Sequence, residues 1–271
     1  MLRKLIRDKK NKLNTGFVGT PLLCNVLTEH GMTDLAYRLL LNEEYPGWLH
    51  EVKLGATTVW ERWNSLDENG RISSTGMNSL NHYSYGAVLE WIFRHVAGID
   101  VTEQGPGGKM MRISPKVDHK LGSASAVYDS ASGCYRCGWQ IENGDQITVT
   151  VTVPFGAKAQ VILPYAPDSV YHDTDNPLFE TVENGICCVK AGQYTVTYKA
   201  ASPLKKSYSV DSTLEDLLAE PAIRAFLSNM MEVDMIPDLA YGLTLRQAAE
   251  AFAGGVSAEQ AQRLNALLEE F

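Results

Sequence analysis

The stretch ITVTVTV (147–153) decides the fold class of the middle of the chain. Its β-branched apolar residues alternate with threonines, which is the period of a β-strand that buries one face. Asn143-Gly144, just upstream, predicts a hairpin turn into this strand. Similar short runs recur at 124–128, 134–141, 159–163, 186–190 and 194–199. Short strands separated by turn residues predict an antiparallel β-sandwich over 99–208.

This predicted sandwich has two interpretations, a carbohydrate-binding module or a structural support. Aromatic residues clustered at a fixed spacing would favour sugar binding, and the sequence of 99–208 has no such cluster. We therefore interpret the sandwich as a structural support.

Upstream of the sandwich, residues 1–98 have the apolar period of helices joined by loops. Thr20-Pro21 predicts an N-cap followed by proline in the first turn of a helix, which Gly31 then ends. A later helical run places five apolar residues on one predicted face, namely Tyr85, Val88, Leu89, Ile92 and Val96. We expect these helices to face a common core.

Residues 209–271 are helical again and carry three candidate capping boxes. In a capping box, an N-cap hydroxyl and a side chain three residues later bind each other's backbone N–H groups. The pairs are Ser212 with Glu215, Thr244 with Gln247, and Ser257 with Gln260. The segment shows no paired carboxylates flanked by aromatic residues, so we predict a small helical tail bundle without chemistry.

Composition limits the possible partners of the chain. With 271 residues, 45% of them hydrophobic, it can form one large or two to three small packed domains. A net charge of −8 argues against nucleic acid or an anionic membrane as a partner. The sequence has neither a signal-peptide-like apolar stretch nor a run of about 18 apolar residues. We therefore predict a soluble, cytoplasmic protein.

Five cysteines are an odd number in a chain without an export signal, which favours reduced thiols. Cys134 and Cys137 have the spacing of a zinc or redox pair. They lie in a predicted strand, where residues three apart point to opposite faces. We therefore predict half-buried structural cysteines and no metal site.

Candidate chemistry lies in 45–85, the stretch densest in aromatic, acidic and imidazole groups. Glu61 lies between Trp60 and Trp63. Flat apolar rings suit the C–H faces of a pyranose, and a nearby carboxylate can activate a water molecule. Alternatively, the two tryptophans are core residues of a helix, with Glu61 and Arg62 on its solvated face. Composition alone leaves both interpretations open.

Three polar residues precede the apolar helical run, where a helix N-terminus would open into a cleft. They are Asn78, Asn81 and His82, and we predict that they bind substrate. His82 can hydrogen-bond a sugar hydroxyl or a catalytic water. The alternative is that Asn81 is only an N-cap and His82 an ordinary loop histidine.

Several motifs resemble bacterial α-L-rhamnosidases of glycoside hydrolase family 78. The barrel motifs are TGFVGTPLL (15–23), GATTVWERWNS (55–65) and GMNSLNHYSYGAVLEWIFRHVAGI (76–99). Two further segments, RISPK (112–116) and VTVPFGAKAQVILP (151–164), resemble the family's C-terminal β-domain. The resemblance implies the closing helices of an (α/α)6 barrel over 1–98, the sandwich over 99–208 and a helical tail over 209–271.

The resemblance also implies a reaction. The family hydrolyses terminal α-L-rhamnosides with inversion, which requires a general acid and a general base but no cofactor. Glu61, in the WERW motif, resembles the general base. His82, in the NHY motif, resembles a histidine that lines the rhamnose subsite. Either Trp60 or Trp63 is expected to form a wall of the same pocket.

The family's general acid belongs to a barrel segment that has no counterpart before Thr15. We therefore expect a fragment that supplies the base and part of the subsite, and that alone hydrolyses rhamnosides weakly or not at all. Its expected partners are a rhamnose-containing glycoside and the missing N-terminal barrel half as a separate chain. Two alternatives remain open, a non-catalytic carbohydrate-binding remnant and a purely structural fragment.

Overall fold

The structure is a computed structural model that describes residues 1–67, 69–73, 76–103, 105–173 and 175–269. The chain divides into two compact units. One is Lys12–Leu204, and the other combines Met1–Asn11 with the chain from Lys205 onward. The three-part division with boundaries at residues 98 and 208 stays a prediction.

The described residues form short helices at both ends of the chain and strands in the middle. The α-helices are α1 (Leu2–Arg7), α2 (Thr20–Glu29), α3 (Thr33–Leu40), α4 (Trp48–Lys53), α5 (Val88–Trp91), α6 (Leu214–Ala219), α7 (Pro221–Ser228), α8 (Leu245–Phe252) and α9 (Ala258–Leu268). The strands are β1 (Ile99–Val101), β2 (Met110–Ile113), β3 (Ser123–Ser130), β4 (Gly133–Glu142), β5 (Gln146–Val153), β6 (Lys158–Ile162), β7 (Val182–Glu183), β8 (Ile186–Val189) and β9 (Gly192–Lys199). Each of the strand runs predicted from sequence is confirmed. No helix of the described residues has both the length and the apolarity that crossing a bilayer requires.

Helix α2 begins one residue earlier than predicted. Gly19 is its N-cap and Thr20 is its first residue, so the predicted N-cap at Thr20 is wrong. The Thr20 hydroxyl donates instead to the carbonyl oxygen of Gly16, 2.8 Å away. Pro21 lies in the first turn and Gly31, with a φ of 73°, follows the end of the helix, as predicted.

The helical segment before the sandwich changes its winding twice. A 3-10 turn over Ser84–Ala87 leads into α5, and a π-helical turn over Ile92–Val96 follows. Because the number of residues per turn changes along the segment, its buried face rotates relative to an ideal α-helix. Leu89, predicted on the buried face, is 57% exposed, so that prediction is wrong. Trp91 is buried in its place and donates its indole N–H to the hydroxyl of Thr28, 2.8 Å away.

The strands form two sheets that enclose an apolar core. One sheet has the order β1-β2-β6-β8-β7 and the other β3-β4-β5-β9. All pairings are antiparallel except β2 with β6, which is parallel. The apolar residues of β5 are all buried, namely Ile147, Val149, Val151 and Val153. The Tyr135 hydroxyl of β4 lies 3.1 Å from the carbonyl oxygen of Lys158 in β6, so it joins the two sheets.

The turn between β4 and β5 has the predicted geometry. Asn143 and Gly144 have φ values of 51° and 80°, the left-handed conformation that favours asparagine and glycine in tight hairpins. On β4, Cys137 is buried whereas Cys134 is partly exposed on the other face. All five cysteines are unpaired, as predicted.

Within the larger unit, the sandwich packs directly against the helical part. Trp139 of β4 donates its indole N–H to the carbonyl oxygen of Val96, at 2.7 Å. The backbone N–H of Lys116 donates to the carbonyl oxygen of His95, at 2.8 Å. Between these contacts the chain turns at Gly98, whose φ is 80°. These hydrogen bonds hold the helical part of the larger unit against the sandwich.

In the smaller unit, two of the three predicted capping boxes are confirmed, those at Thr244 and Ser257. The third prediction is wrong by one residue. Thr213 is the N-cap of α6 and accepts the backbone N–H of Asp216 at 3.2 Å, whereas the Ser212 hydroxyl accepts the backbone N–H of Ser209. The apolar faces of these helices form a common core that includes Leu214, Leu217, Ile223 and Leu268.

Candidate active site

The two segments that carry Glu61 and His82 lie side by side. The backbone N–H of Glu61 donates to the carbonyl oxygen of Ser79 at 2.9 Å. The backbone N–H of His82 donates to the carbonyl oxygen of Val59 at 2.8 Å. The Thr58 hydroxyl adds a third bond, to the carbonyl oxygen of Leu80. The structure therefore brings together the two residues predicted from separate motifs.

The WERW motif is not helical. Residues 59–64 form an irregular segment, so the alternative interpretation of these tryptophans as the core of a helix is wrong in its secondary structure. Both rings are nevertheless buried, Trp60 being 3% and Trp63 8% exposed. Glu61 and Arg62 are half-buried. The carboxylate of Glu61 thus retains access to solvent while its two aromatic neighbours do not.

Trp63 is fixed by contacts on several sides. Its ring stacks on Tyr85 with a centroid distance of 4.0 Å and an interplanar angle of 5°. Trp48 packs against it in a T-shaped arrangement, with a centroid distance of 5.3 Å. Its indole N–H donates to the carbonyl oxygen of Thr15 at 3.0 Å. Trp63 is therefore part of a rigid aromatic cluster beneath the segment that carries Glu61.

The two asparagines predicted to bind substrate have different surroundings. Asn78 uses its amide to accept the Ser65 hydroxyl at 2.7 Å and to donate to the Ser65 carbonyl oxygen at 2.9 Å. Asn81 is exposed. It is not a helix N-cap, because Tyr83 occupies that position before the 3-10 turn. Asn78 thus holds the loop together, whereas the side chain of Asn81 is accessible.

His82 is half-buried and has two ring neighbours. Phe17 stacks on it at a centroid distance of 4.9 Å and Tyr83 at 5.2 Å. The backbone N–H of Ser84 donates to its Nδ1 at 3.3 Å. The sequence did not predict the contact between Phe17 and His82, because the two residues lie in motifs far apart along the chain.

Glu51 is the second residue that sequence reasoning missed. It lies on α4, is 3% exposed, and accepts a long hydrogen bond of 3.5 Å from the backbone N–H of Trp60 to its Oε2. Desolvation by burial raises the pKa of Glu51 to about 7, and the bond from Trp60 opposes that change. The sequence did contain an indication of this burial. Glu51 follows Trp48 by three residues, which places both side chains on the same face of α4. The site therefore contains a buried carboxyl group next to the residue that precedes Glu61.

Burial also raises the pKa of Tyr85, and the nearby Glu51 carboxyl group acts in the same direction. Within the part of the chain that the structure describes, no group of three or more His, Cys, Asp or Glu side chains could hold a metal ion. The chemistry available here is that of a solvent-accessible carboxylate, an imidazole and an exposed amide on a rigid aromatic base.

Two family models match consecutive parts of the chain. Residues 1–96 match the bacterial alpha-L-rhamnosidase 6 hairpin glycosidase domain. Residues 98–176 match the bacterial alpha-L-rhamnosidase C-terminal domain. The helical part is therefore of the six-hairpin glycosidase class, followed by a β-sandwich. The chain belongs to the bacterial α-L-rhamnosidase family and resembles the C-terminal part of its members.

Known proteins of this family support the assignment. The alpha-L-rhamnosidase of Alteromonas sp. (strain LOR) is 40% identical over 195 residues, which are 71% of this chain and 20% of that protein. One from Formosa agariphila is 40% identical over 183 residues, 68% of this chain and 19% of that protein. The chain thus spans about a fifth of the length of the curated relatives it matches.

Solved structures agree with the fold. The Streptomyces avermitilis alpha-L-rhamnosidase complexed with L-rhamnose superposes with a TM-score of 0.63 at 36% identity, covering 72% of this chain and 19% of that one. The native enzyme from Aspergillus terreus superposes with a TM-score of 0.61 at 29% identity, covering 74% of this chain and 21% of that one.

Proposed function

We propose that this chain forms part of the active site of an inverting glycoside hydrolase that removes terminal α-L-rhamnose from glycosides. The observation that carries the proposal is the pairing of the segments 58–61 and 79–82, which places Glu61 beside the loop of His82. The family assignment supports the sugar and the type of reaction.

In this proposal Glu61 is the general base. Inversion requires a carboxylate that takes a proton from the attacking water while an acid on the opposite side protonates the leaving oxygen. Glu61 is half-buried, so water can reach it. We assign the general acid to barrel residues outside these 271, whether they belong to the same polypeptide or to a separate one.

The rhamnose subsite would combine His82 with the accessible amide of Asn81. A neutral sugar offers hydroxyl groups, which such side chains bind through hydrogen bonds. Trp60 and Trp63 would shape the pocket from below, because both are buried. Asn78 would act indirectly, because its hydrogen bonds to Ser65 hold the loop that carries Asn81 and His82.

Calorimetric titration of the folded chain with L-rhamnose tests the subsite. We expect saturable binding by the wild type, loss of binding in His82→Ala, and retention of binding in Glu61→Gln, because the amide keeps the shape of the carboxylate. His172→Ala is the matched control, since His172 is exposed in the same unit. A folded wild type that binds no rhamnose, or equal losses in both histidine variants, would contradict the proposal.

Turnover of an aryl α-L-rhamnoside tests whether this chain supplies the general base, Glu61, but not the general acid. We expect weak or no turnover by this chain alone, because the acid is assigned elsewhere. Rapid turnover that Glu61→Gln abolishes would show that the chain contains both catalytic groups.

A further inference from the structure

The imidazole of His82 is flanked by two nearly parallel rings. Phe17 stacks on it at 4.9 Å with an interplanar angle of 13°, and Tyr83 at 5.2 Å with an angle of 12°. Tyr83 is its neighbour in the chain, whereas Phe17 comes from the segment just before α2. Offset stacking of this kind restricts the plane of the imidazole ring.

Phe17 is itself anchored, although its side chain is 45% exposed. Its ring contacts Tyr85 at a centroid distance of 5.6 Å, and Tyr85 stacks on the buried Trp63. Trp63 in turn donates to the carbonyl oxygen of Thr15, two residues before Phe17. The position of Phe17 is therefore set by the buried aromatic cluster, and the ring plane of His82 is set through Phe17.

The hydrogen bond from Ser84 defines the protonation pattern of the neutral ring. A backbone N–H can only donate, so Nδ1 of His82 must be the unprotonated acceptor and Nε2 must carry the proton. Turning the ring over would place a carbon atom opposite the N–H of Ser84. Because Ser84 is buried, that N–H would lose its partner, and the reversed orientation is disfavoured.

From this geometry we infer that Phe17 is a positioning residue for His82. Together with the N–H of Ser84, it holds the neutral imidazole in one orientation and in the Nε2-protonated tautomer, which presents a hydrogen-bond donor to a hydroxyl oxygen of the sugar. The inference rests on the proposed function for its ligand. Its structural part, the fixed tautomer, does not depend on sugar binding.

The test is a long-range ¹H–¹⁵N spectrum of the full chain labelled at histidine nitrogens. His82→Gln identifies the His82 signals among the six histidines. For the wild type we expect one fixed tautomer at a pH at which the ring is neutral, with Nε2 protonated. For Phe17→Leu we expect signals averaged between the two tautomers, together with rhamnose binding weaker by about threefold to tenfold, the range for one such ring contact.

Two further variants separate positioning from a general loss of structure. Phe17→Tyr keeps the stacked ring, so we expect it to restore both the tautomer and the affinity. Phe93→Leu is the matched control, because Phe93 is 39% exposed in the same unit, and we expect wild-type signals from it.

The inference is overturned if wild-type His82 exchanges between tautomers or carries its proton on Nδ1. It is overturned equally if Phe17→Leu keeps the wild-type tautomer and affinity. A fixed Nε2-protonated ring in a folded wild type that binds no rhamnose would instead count against the proposed function, so the two failures are distinguishable.

Discussion

Replacing Glu51 by glutamine should make the larger unit more stable above neutral pH. Glu51 is 3% exposed, and among the described residues its Oε1 has no hydrogen-bond partner. Burial raises the pKa of Glu51 from 4.5 to about 7. Glutamine has the shape of the protonated side chain but cannot ionise, and it can still accept the N–H of Trp60. The variant therefore removes the cost of burying a charge and little else.

The magnitude follows from proton linkage. Because the folded-state pKa is above the unfolded value, the folded state binds more protons than the unfolded state between pH 4.5 and about 7. The stability from this group is complete below pH 4.5 and is lost as the pH rises through about 7. At about 1.4 kcal/mol per pKa unit, the loss is about 3 kcal/mol. The advantage of Glu51→Gln over wild type should therefore grow by about 3 kcal/mol across this range.

Urea unfolding followed by tryptophan fluorescence, from about pH 5 to about pH 8, measures this difference. The assay is specific, because all five tryptophans lie within Lys12–Leu204, namely Trp48, Trp60, Trp63, Trp91 and Trp139. Glu183→Gln makes the same chemical change on an exposed residue of the same unit and serves as the control. If the difference between Glu51→Gln and wild type is constant with pH, or falls as the pH rises, the reasoning is refuted.

Two substitutions test the packing between the helices and the sandwich, again by urea unfolding. Gly98→Ala should cost at least about 2 kcal/mol, because its Cβ would lie 2.2 Å from the backbone nitrogen of Pro115 at a φ of 80°. Gly122→Ala, with a φ of 77° and open space around it, should cost only about 1 kcal/mol, and equal losses would contradict the steric argument. Trp139→Phe should cost about 1–3 kcal/mol because the carbonyl of Val96 loses its buried donor. A loss near zero would mean that this carbonyl finds another partner.

The sheets were largely predictable because their signal is local. Alternation over 147–153 and the Asn143-Gly144 turn specify a strand and its hairpin within a few residues. The parallel pairing of β2 with β6 was not predictable, since it joins strands that are distant in sequence. The burial of Trp91 in place of Leu89 also depends on a change of helix winding, which the spacing of apolar residues does not reveal.

The candidate site likewise combines features that the sequence predicts with features that it does not. The WERW and NHY motifs located Glu61 and His82, and the hydrogen bonds between their segments join them. A glutamate in an amphipathic helix is normally expected in solvent, so the burial of Glu51 could be found only from its surroundings. The stacking of Phe17 on His82 depends on tertiary packing, which no spacing within either motif encodes.

The hydrogen bonds around Gly98 also bear on how such chains can be recombined. The two family matches meet at residue 97, which suggests a natural place to exchange one relative's sandwich for another's. Yet the bonds from Trp139 to Val96 and from Lys116 to His95 both cross that point. A chimaera joined there keeps its core only if the incoming sandwich supplies an indole N–H and a backbone N–H at the same places. The helices and the sandwich should therefore be taken together from the same relative.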